Sequence, residues 1–131
     1  MQTSGSLNES PKHSQSQYQG ELEKKIYLIG NPNSGKSTLF NALTGSNAKI
    51  GNYPGVTVEK KHANLVLQKV GRVQVLDLPG LYSLQANSQD EEISISSIKA
   101  CGAQKTSQFL VVVVDATQLE RNLYLVKQIA E

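Results

Sequence analysis

The 131-residue chain contains no tryptophan, one cysteine and seven other aromatic residues, five Tyr and two Phe. The single cysteine, Cys101, excludes an internal disulfide framework and a cysteine-rich zinc cluster, and it fits a reducing compartment. The longest purely apolar run covers residues 109–114, far short of the roughly 20 residues that cross a membrane. Residues 1–20 lack the apolar segment of a secretory signal. We therefore expect a soluble, cytosolic chain.

An excess of charge of one sign is also missing. The 13 Lys and Arg residues outnumber the 11 Asp and Glu residues by two, which gives a net charge of +2. A nucleic-acid-binding face needs clustered Lys and Arg, so we expect no nucleic-acid partner. A chain of this length forms one ordinary domain at most.

Composition divides the chain near residue 24. Residues 1–23 are rich in Ser, Gln and Asn and have almost no aliphatic side chains. Such a segment cannot bury enough apolar surface to offset the entropy of ordering, so the sequence predicts a disordered polar tail. Residues 24–131 are predicted to form the folded part.

In that part, short β-rich runs alternate with helical patterns, which is typical of an α/β domain with a mostly parallel sheet. Strands are predicted at residues 25–29, 58–68, 72–77 and 109–114, the second and third as one antiparallel hairpin. Helices are predicted at residues 38–44, 91–100 and 119–131, from apolar residues recurring at helical spacing. The stretches 46–57 and 81–90 are predicted to be loops.

A glycine-rich loop separates the first strand from the first helix. Residues 30–37, G-N-P-N-S-G-K-S, match the phosphate-loop pattern G-x-x-x-x-G-K-[ST] between a strand and a helix, the context that this pattern requires. Small residues let backbone N–H groups point at phosphate oxygens, at the positive end of the helix dipole. Lys36 adds a charge for the β and γ phosphates, and Ser37 offers a hydroxyl to Mg²⁺. A loop that merely turned the chain would have no use for this Lys-Ser pair.

Two further candidates follow the third strand. Asp77 lies at the carboxyl end of that strand, where open α/β sheets bind ligands, so it can reach a metal through water. The alternative is an aspartate that only caps a turn. Gly80 has no Cβ, which allows its N–H to approach a γ-phosphate. Thr57 is a candidate second hydroxyl ligand of Mg²⁺, although spacing alone does not single it out.

Four segments together resemble the cytosolic G domain of FeoB-type ferrous iron transporters. They are residues 30–37, 51–59 (G-N-Y-P-G-V-T-V-E), 77–84 (D-L-P-G-L-Y-S-L) and 114–125 (V-D-A-T-Q-L-E-R-N-L-Y-L). The first and third occur in many GTPases, whereas the second and fourth are much more specific. The resemblance covers residues 25–131 and implies a Ras-like P-loop NTPase fold.

The resemblance also implies GTP and GDP as ligands, with slow, potassium-assisted hydrolysis of GTP. The residues expected at the nucleotide are Gly30, Asn31, Pro32, Asn33, Ser34, Gly35, Lys36, Ser37, Thr38, Gly55, Val56, Thr57, Val58, Glu59, Asp77, Leu78, Pro79 and Gly80. Those expected to take part in catalysis are Lys36, Asn33, Thr57 and Gly80. Leu81 stands where Ras-like proteins have a water-orienting Gln, so hydrolysis should be slow.

Two cations are implied by the resemblance. Ser37, Thr57 and Asp77 are expected around Mg²⁺. Asn33, with the backbone of Gly51 and Asn52, is expected around K⁺ beside the phosphates. A monovalent cation there would neutralise charge that develops during hydrolysis, as an arginine finger does in other GTPases.

The resemblance is incomplete at its C-terminal side. In this family the Asn-x-x-Asp segment that recognises guanine follows the next strand, and the sequence ends at Glu131 before it. We expect a truncated, partial G domain in which guanine selectivity is inferred. Residues 109–114 are expected to be buried on both faces, and their uncovered strand edge is expected to permit self-association.

The family further implies a downstream transmembrane iron-permeation domain as partner, at the cytosolic face of the bacterial inner membrane. Two alternatives stay open: a nucleotide-dependent interaction switch of the ribosome-assembly GTPase type, and an inert fragment. Cys101 is expected to be a structural thiol and Arg121 a surface residue. Neither His13 nor His62 has companion ligands that indicate iron binding.

Overall fold

The structure is a computed structural model, which describes residues 24–103 and 107–131. The strands are β1 (Lys24–Gly30), β2 (Lys49–Asn52), β3 (Glu59–Leu67), β4 (Gly71–Asp77) and β5 (Gln108–Val113). The helices are α1 (Lys36–Thr44), α2 (Gln89–Ala103) and α3 (Leu119–Ala130), with 3₁₀ turns at Gly45–Asn47 and Ala116–Gln118. The predicted tail, residues 1–23, lies outside the described residues.

The centre of the sheet is parallel. The strand order is β2-β3-β4-β1-β5, and β1 pairs in parallel with both β4 and β5. Leu28 lies opposite Asp77 on one side and Val111 on the other. Because these three strands run in the same direction, their carboxyl ends meet at one edge of the sheet. The predicted α/β class is confirmed, with a mixed sheet in which both pairings of β1 are parallel and the pairings β2–β3 and β3–β4 are antiparallel.

The antiparallel side of the sheet is larger than predicted. The hairpin of β3 and β4 turns between Leu67 and Gly71, with Lys69 and Gly71 at positive φ of 71° and 94°. Residues 46–57 were predicted to be a loop, and this is wrong for β2, which pairs antiparallel with β3. All four residues of β2 are exposed at the edge of the sheet, so they lack the apolar alternation that marks a half-buried strand.

Helices cover both faces of the sheet, and each face has its own apolar cluster. On one face α1 places Phe40 against Leu28, Val73 and Val75. On the other face α2 and α3 pack over a second cluster, which consists of Ile29, Leu78, Leu81, Ile95, Ile98 and Leu125. The alternation of Leu28 and Ile29 between the two clusters follows from the pleat of β1.

Strand β5 does not have the burial that its unbroken apolar run predicts. Leu110 and Val112 pack on the cluster under α2 and α3, whereas Phe109 is 52% exposed and Val111 is 39% exposed. The expectation of burial on both faces is therefore wrong for the described part of the chain. The reason is that α1 contacts mainly β1, β3 and β4, which leaves its side of β5 open.

No described helix combines the length and the apolar character that crossing a bilayer requires.

Candidate functional site

The phosphate loop, residues 30–37, connects the buried end of β1 to the first turn of α1. Asn33 and Gly35 have positive φ, 64° and 94°, and the Ser34 N–H donates to the Asn31 carbonyl at 3.2 Å. Helix α1 has no side-chain cap at its N-terminus. The N–H groups of its first turn are therefore left for a ligand, at the positive end of the helix dipole.

Two adjoining cavities lie at this edge of the sheet. The first, about 400 Å³, is lined by Asn31, Pro32, Asn33, Gly35, Lys36, Ser37, Thr38 and Gly80. The second, about 230 Å³, is lined by Lys36, Ser37, Val58, Glu59, Lys61, Asp77, Leu78, Pro79, Gly80 and Asp90. Lys36, Ser37 and Gly80 line both. Three of the four sequence segments thus contribute to one continuous site.

A buried ion pair stands at the junction of the two cavities. The Lys36 ammonium donates to Asp77 Oδ1, and both residues are only 7% exposed. The pairing follows from the fold, because Lys36 opens the helix after β1 and Asp77 ends the neighbouring parallel strand. A buried charge that lost this partner would be strongly unfavourable, so each group fixes the other at the cavity wall.

Residues 77–80 are attached to β1 and to the phosphate loop by their backbone. The Leu78 N–H donates to the Leu28 carbonyl at 3.1 Å, and the Leu81 N–H donates to the Gly30 carbonyl at 2.9 Å. Between these bonds Gly80 lies directly on Pro32: a Cβ at position 80 would be 2.9 Å from the Pro32 nitrogen. The close approach leaves room only for glycine.

Some predicted site residues are not brought to these cavities. Thr57 and Gly55 are exposed and line neither cavity, and the same holds for Val56, which is partly buried. Gly51 and Asn52 belong to the exposed edge strand β2. Their roles stay predictions, whereas Val58 and Glu59 of the same segment do line the second cavity.

The fourth segment, residues 114–125, lines neither cavity, and its polar side chains form hydrogen bonds within the segment. The Asp115 carboxylate accepts from the Thr117 hydroxyl at 2.6 Å and from its N–H at 2.9 Å, and these bonds lower the pKa of Asp115. Buried Asn122 accepts from the Asp115 N–H and donates to the Gln118 carbonyl. Arg121 lies over the Tyr82 ring, 5.4 Å from its centroid, away from the phosphate loop.

Several polar groups near the site are in surroundings that the sequence did not predict. Asn31 is buried, and neither polar atom of its side chain has a hydrogen-bond partner in the described residues. The Ser34 hydroxyl also has no partner there. Burial raises the pKa of Tyr53, with smaller contributions from Tyr27 and from the negative charge of Asp77. Ser94 of α2 bonds to the Pro79 carbonyl. Asn31 and Ser34 were predicted at the nucleotide from the phosphate-loop motif, and Tyr53 belongs to segment 51–59. Nothing in the sequence pointed to Ser94.

A phosphate loop between a parallel strand and a helix, with Asp-x-x-Gly after the adjacent strand, defines a P-loop NTPase of the GTP-binding class. The profile of the family described as "Ferrous iron transport protein B" matches residues 24–131. The Fe(2+) transporter FeoB of Methanocaldococcus jannaschii is 54% identical over 107 residues, which cover 82% of this chain and 15% of that protein. The chain belongs to the FeoB family of ferrous iron transporters, as its motifs predicted.

Solved structures agree with this assignment. The cytosolic domain of L. pneumophila FeoB is 49% identical, with a TM-score of 0.71, over 81% of this chain and 40% of that one. The GDP-bound A143S mutant of the S. thermophilus FeoB G domain is 46% identical, with a TM-score of 0.68, over 81% of this chain and 38% of that one. The predicted P-loop NTPase fold is confirmed, in a chain that spans 15% of the M. jannaschii transporter it matches.

Proposed function

We propose that this chain binds GTP and GDP at the phosphate loop and hydrolyses GTP slowly, as part of the regulatory G domain of a ferrous iron transporter. The observation that carries the proposal is the convergence of Lys36, Ser37 and Gly80 on two adjoining cavities at the N-terminus of α1. The S. thermophilus relative, whose structure contains GDP, supports the choice of nucleotide.

The chain's own groups account for phosphate binding. Backbone N–H groups of the loop and of the first turn of α1 bond to phosphate oxygens, and Lys36 contributes its positive charge. Asp77 holds that ammonium at the cavity wall, so little side-chain entropy remains to be lost when a phosphate binds. Gly80 lines both cavities, and we assign to its N–H the role of donor to a terminal phosphate.

The residues present fit a magnesium ion. Ser37 and Asp77 both line the second cavity, and a hydroxyl and a carboxylate are the oxygen ligands that Mg²⁺ prefers. When bound, the ion supplies charge neutralisation on the β and γ phosphates. Thr57, the other proposed ligand, lies outside this cavity and has to approach it to take part.

Fewer of the residues proposed for potassium lie at the cavities than of those proposed for magnesium. Of the proposed ligands, only Asn33 lines the first cavity, while Gly51 and Asn52 lie on β2 outside it. Potassium assistance therefore rests on the Asn33 side chain, and we assign no step of hydrolysis to the ion. Slow hydrolysis has separate support, because Leu81 is fully buried and apolar and cannot orient a water molecule.

The role in the whole protein is likewise proposed. The relatives are named as Fe(2+) transporters, and one solved neighbour is a cytosolic domain. We place the chain at the cytosolic face of the inner membrane, where it acts on a transmembrane iron-permeation domain. Exposed Phe109 and Val111 support self-association through β5. Membership of the FeoB family favours this role over a ribosome-assembly switch.

Calorimetric titration of GTP, GDP and ATP with Mg²⁺ tests nucleotide binding by the chain. We expect GTP and GDP to bind, and ATP to bind almost as well, because no described residue is assigned to the base. Lys36→Ala and Ser37→Ala should each abolish tight binding. Lys99→Ala, an exposed lysine of α2, is the matched control and should bind normally. Affinity within twofold of wild type in both loop variants would refute the proposal, and a wild-type chain that binds nothing would identify an inert fragment.

A further inference from the structure

Ser94 is a polar residue in the apolar interface between α2 and the sheet. It is fully buried, next to Ile95 of the core cluster. Its hydroxyl donates to the Pro79 carbonyl at 2.7 Å. Burying a hydroxyl is unfavourable unless it is bonded, so this bond ties α2 to residues 77–80.

The bond acts on one peptide group, the one that joins Pro79 to Gly80. Within the described residues there is no cis peptide bond, so the carbonyl and the N–H of this group point in opposite directions. Because Ser94 holds the carbonyl toward α2, the Gly80 N–H is held pointing away from α2. Gly80 lines both cavities of the site, and its N–H makes no hydrogen bond within the described part of the chain.

The neighbouring peptide groups are already fixed in another way. The N–H groups of Leu78 and Leu81 bond to carbonyls of β1, and the Pro79–Gly80 peptide lies between these two bonds. Glycine restricts the rotation of this peptide less than any other residue does. The Ser94 hydroxyl therefore restricts the rotation of the Pro79–Gly80 peptide, which lies against Pro32 of the phosphate loop.

We propose that Ser94 is a positioning residue, which acts through the Pro79 carbonyl to aim the Gly80 N–H at the terminal phosphate and so favours a nucleoside triphosphate over a diphosphate. The inference rests on the proposed nucleotide site. Ser94 lines neither cavity of the site.

Another serine of the same helix provides a control. The Ser97 hydroxyl donates to the Ile93 carbonyl at 2.9 Å, one turn earlier in α2, and that bond stays inside the helix. Ser97→Ala therefore removes a hydroxyl and a hydrogen bond from α2 without releasing the Pro79–Gly80 peptide.

The test compares Ser94→Ala with Ser97→Ala in the 131-residue chain. Affinities for GDP and for a non-hydrolysable GTP analogue are measured with Mg²⁺, together with the NMR order parameter of the Gly80 amide and the melting temperature. For Ser94→Ala we expect affinity for the analogue to fall about fivefold, the loss of one hydrogen bond, with affinity for GDP within twofold. The order parameter of the Gly80 amide should fall, because its peptide is freer to rotate. Ser97→Ala should change neither the affinity ratio nor the order parameter.

Ser94→Thr keeps a hydroxyl at the same place and should keep the ratio of the two affinities, even where its extra methyl group lowers the melting temperature. An unchanged ratio in Ser94→Ala overturns the inference. An equal loss for both nucleotides also overturns it, because that result describes a merely structural serine. If the wild-type chain binds neither nucleotide, the proposed function fails for this chain. An unchanged order parameter of the Gly80 amide in Ser94→Ala would then show that Ser94 does not fix the peptide either.

Discussion

Replacing Gly80 with alanine is the most direct way to test whether residues 77–80 must lie against the phosphate loop. A Cβ at this position would be 2.9 Å from both the nitrogen and Cγ of Pro32, where ordinary contact begins at 3.4 Å. One of the two segments must therefore shift by about 0.5 Å, since the contacted atoms are a backbone nitrogen and the proline ring and not the end of a flexible side chain. Overpacking of this kind costs about 1–3 kcal/mol. The shift also moves the Gly80 N–H away from its proposed phosphate.

Urea denaturation and nucleotide titration measure the two effects of Gly80→Ala separately. We expect a loss of about 2 kcal/mol in the free energy of unfolding, and a larger loss of affinity for a GTP analogue than for GDP. Gly102→Ala, in α2, is the control, since a Cβ there meets nothing within 4 Å. Alanine is the better helix former, so this change should not lower the free energy of unfolding. A Gly80→Ala variant as stable as wild type, with unchanged affinities, would refute the close packing derived from the structure.

Three other predictions concern the ion pair, the potassium proposal and the open strand. Asp77→Ala should lower the free energy of unfolding in urea by about 3 kcal/mol, because it leaves the Lys36 charge buried and unpaired; a loss under 1 kcal/mol would contradict this. Asn33→Gly removes the side-chain amide without strain at a φ of 64°, and it should abolish any excess of the GTP hydrolysis rate in potassium over that in sodium. Val111→Lys places a charge on the open face of β5 and should reduce self-association in sedimentation experiments. A wild-type chain that stays monomeric at high concentration would count against the β5 interface.

The parts of the site that the sequence revealed are those whose chemistry is local. The phosphate loop is eight consecutive residues, and its function depends on backbone N–H groups that small residues expose. Asp77 could be linked to this loop because a parallel sheet brings the ends of its strands together. Asp77 and Lys36 are nevertheless 41 residues apart in sequence. The direct Lys36–Asp77 ion pair was not foreseen, since it depends on the register of β1 against β4.

Other features could not be predicted, because their residues carry no pattern. Strand β2 forms through backbone pairing with β3, and its exposed side chains are under no pressure to alternate. The role of Ser94 could not be predicted for a similar reason, since a serine in a helix is usually a surface residue. Only the fold brings Pro79 next to it. The expectation that Phe109 is buried was wrong, and Phe109 is exposed. An apolar run shows which residues could be buried, but it does not show whether a helix covers them.

The segment after β4 joins the candidate site to both helices of the opposite face. Gly80 packs on Pro32 in the phosphate loop, and Pro79 accepts the bond from Ser94 in α2. Four residues after Gly80, the Leu84 N–H donates to Gln128 Oε1 of α3 at 2.8 Å. Because Leu81 is fully buried between these attachments, Gly80 cannot move far without displacing the core cluster under α2 and α3. The candidate site is therefore joined to α2 and α3 by hydrogen bonds and by packed core residues.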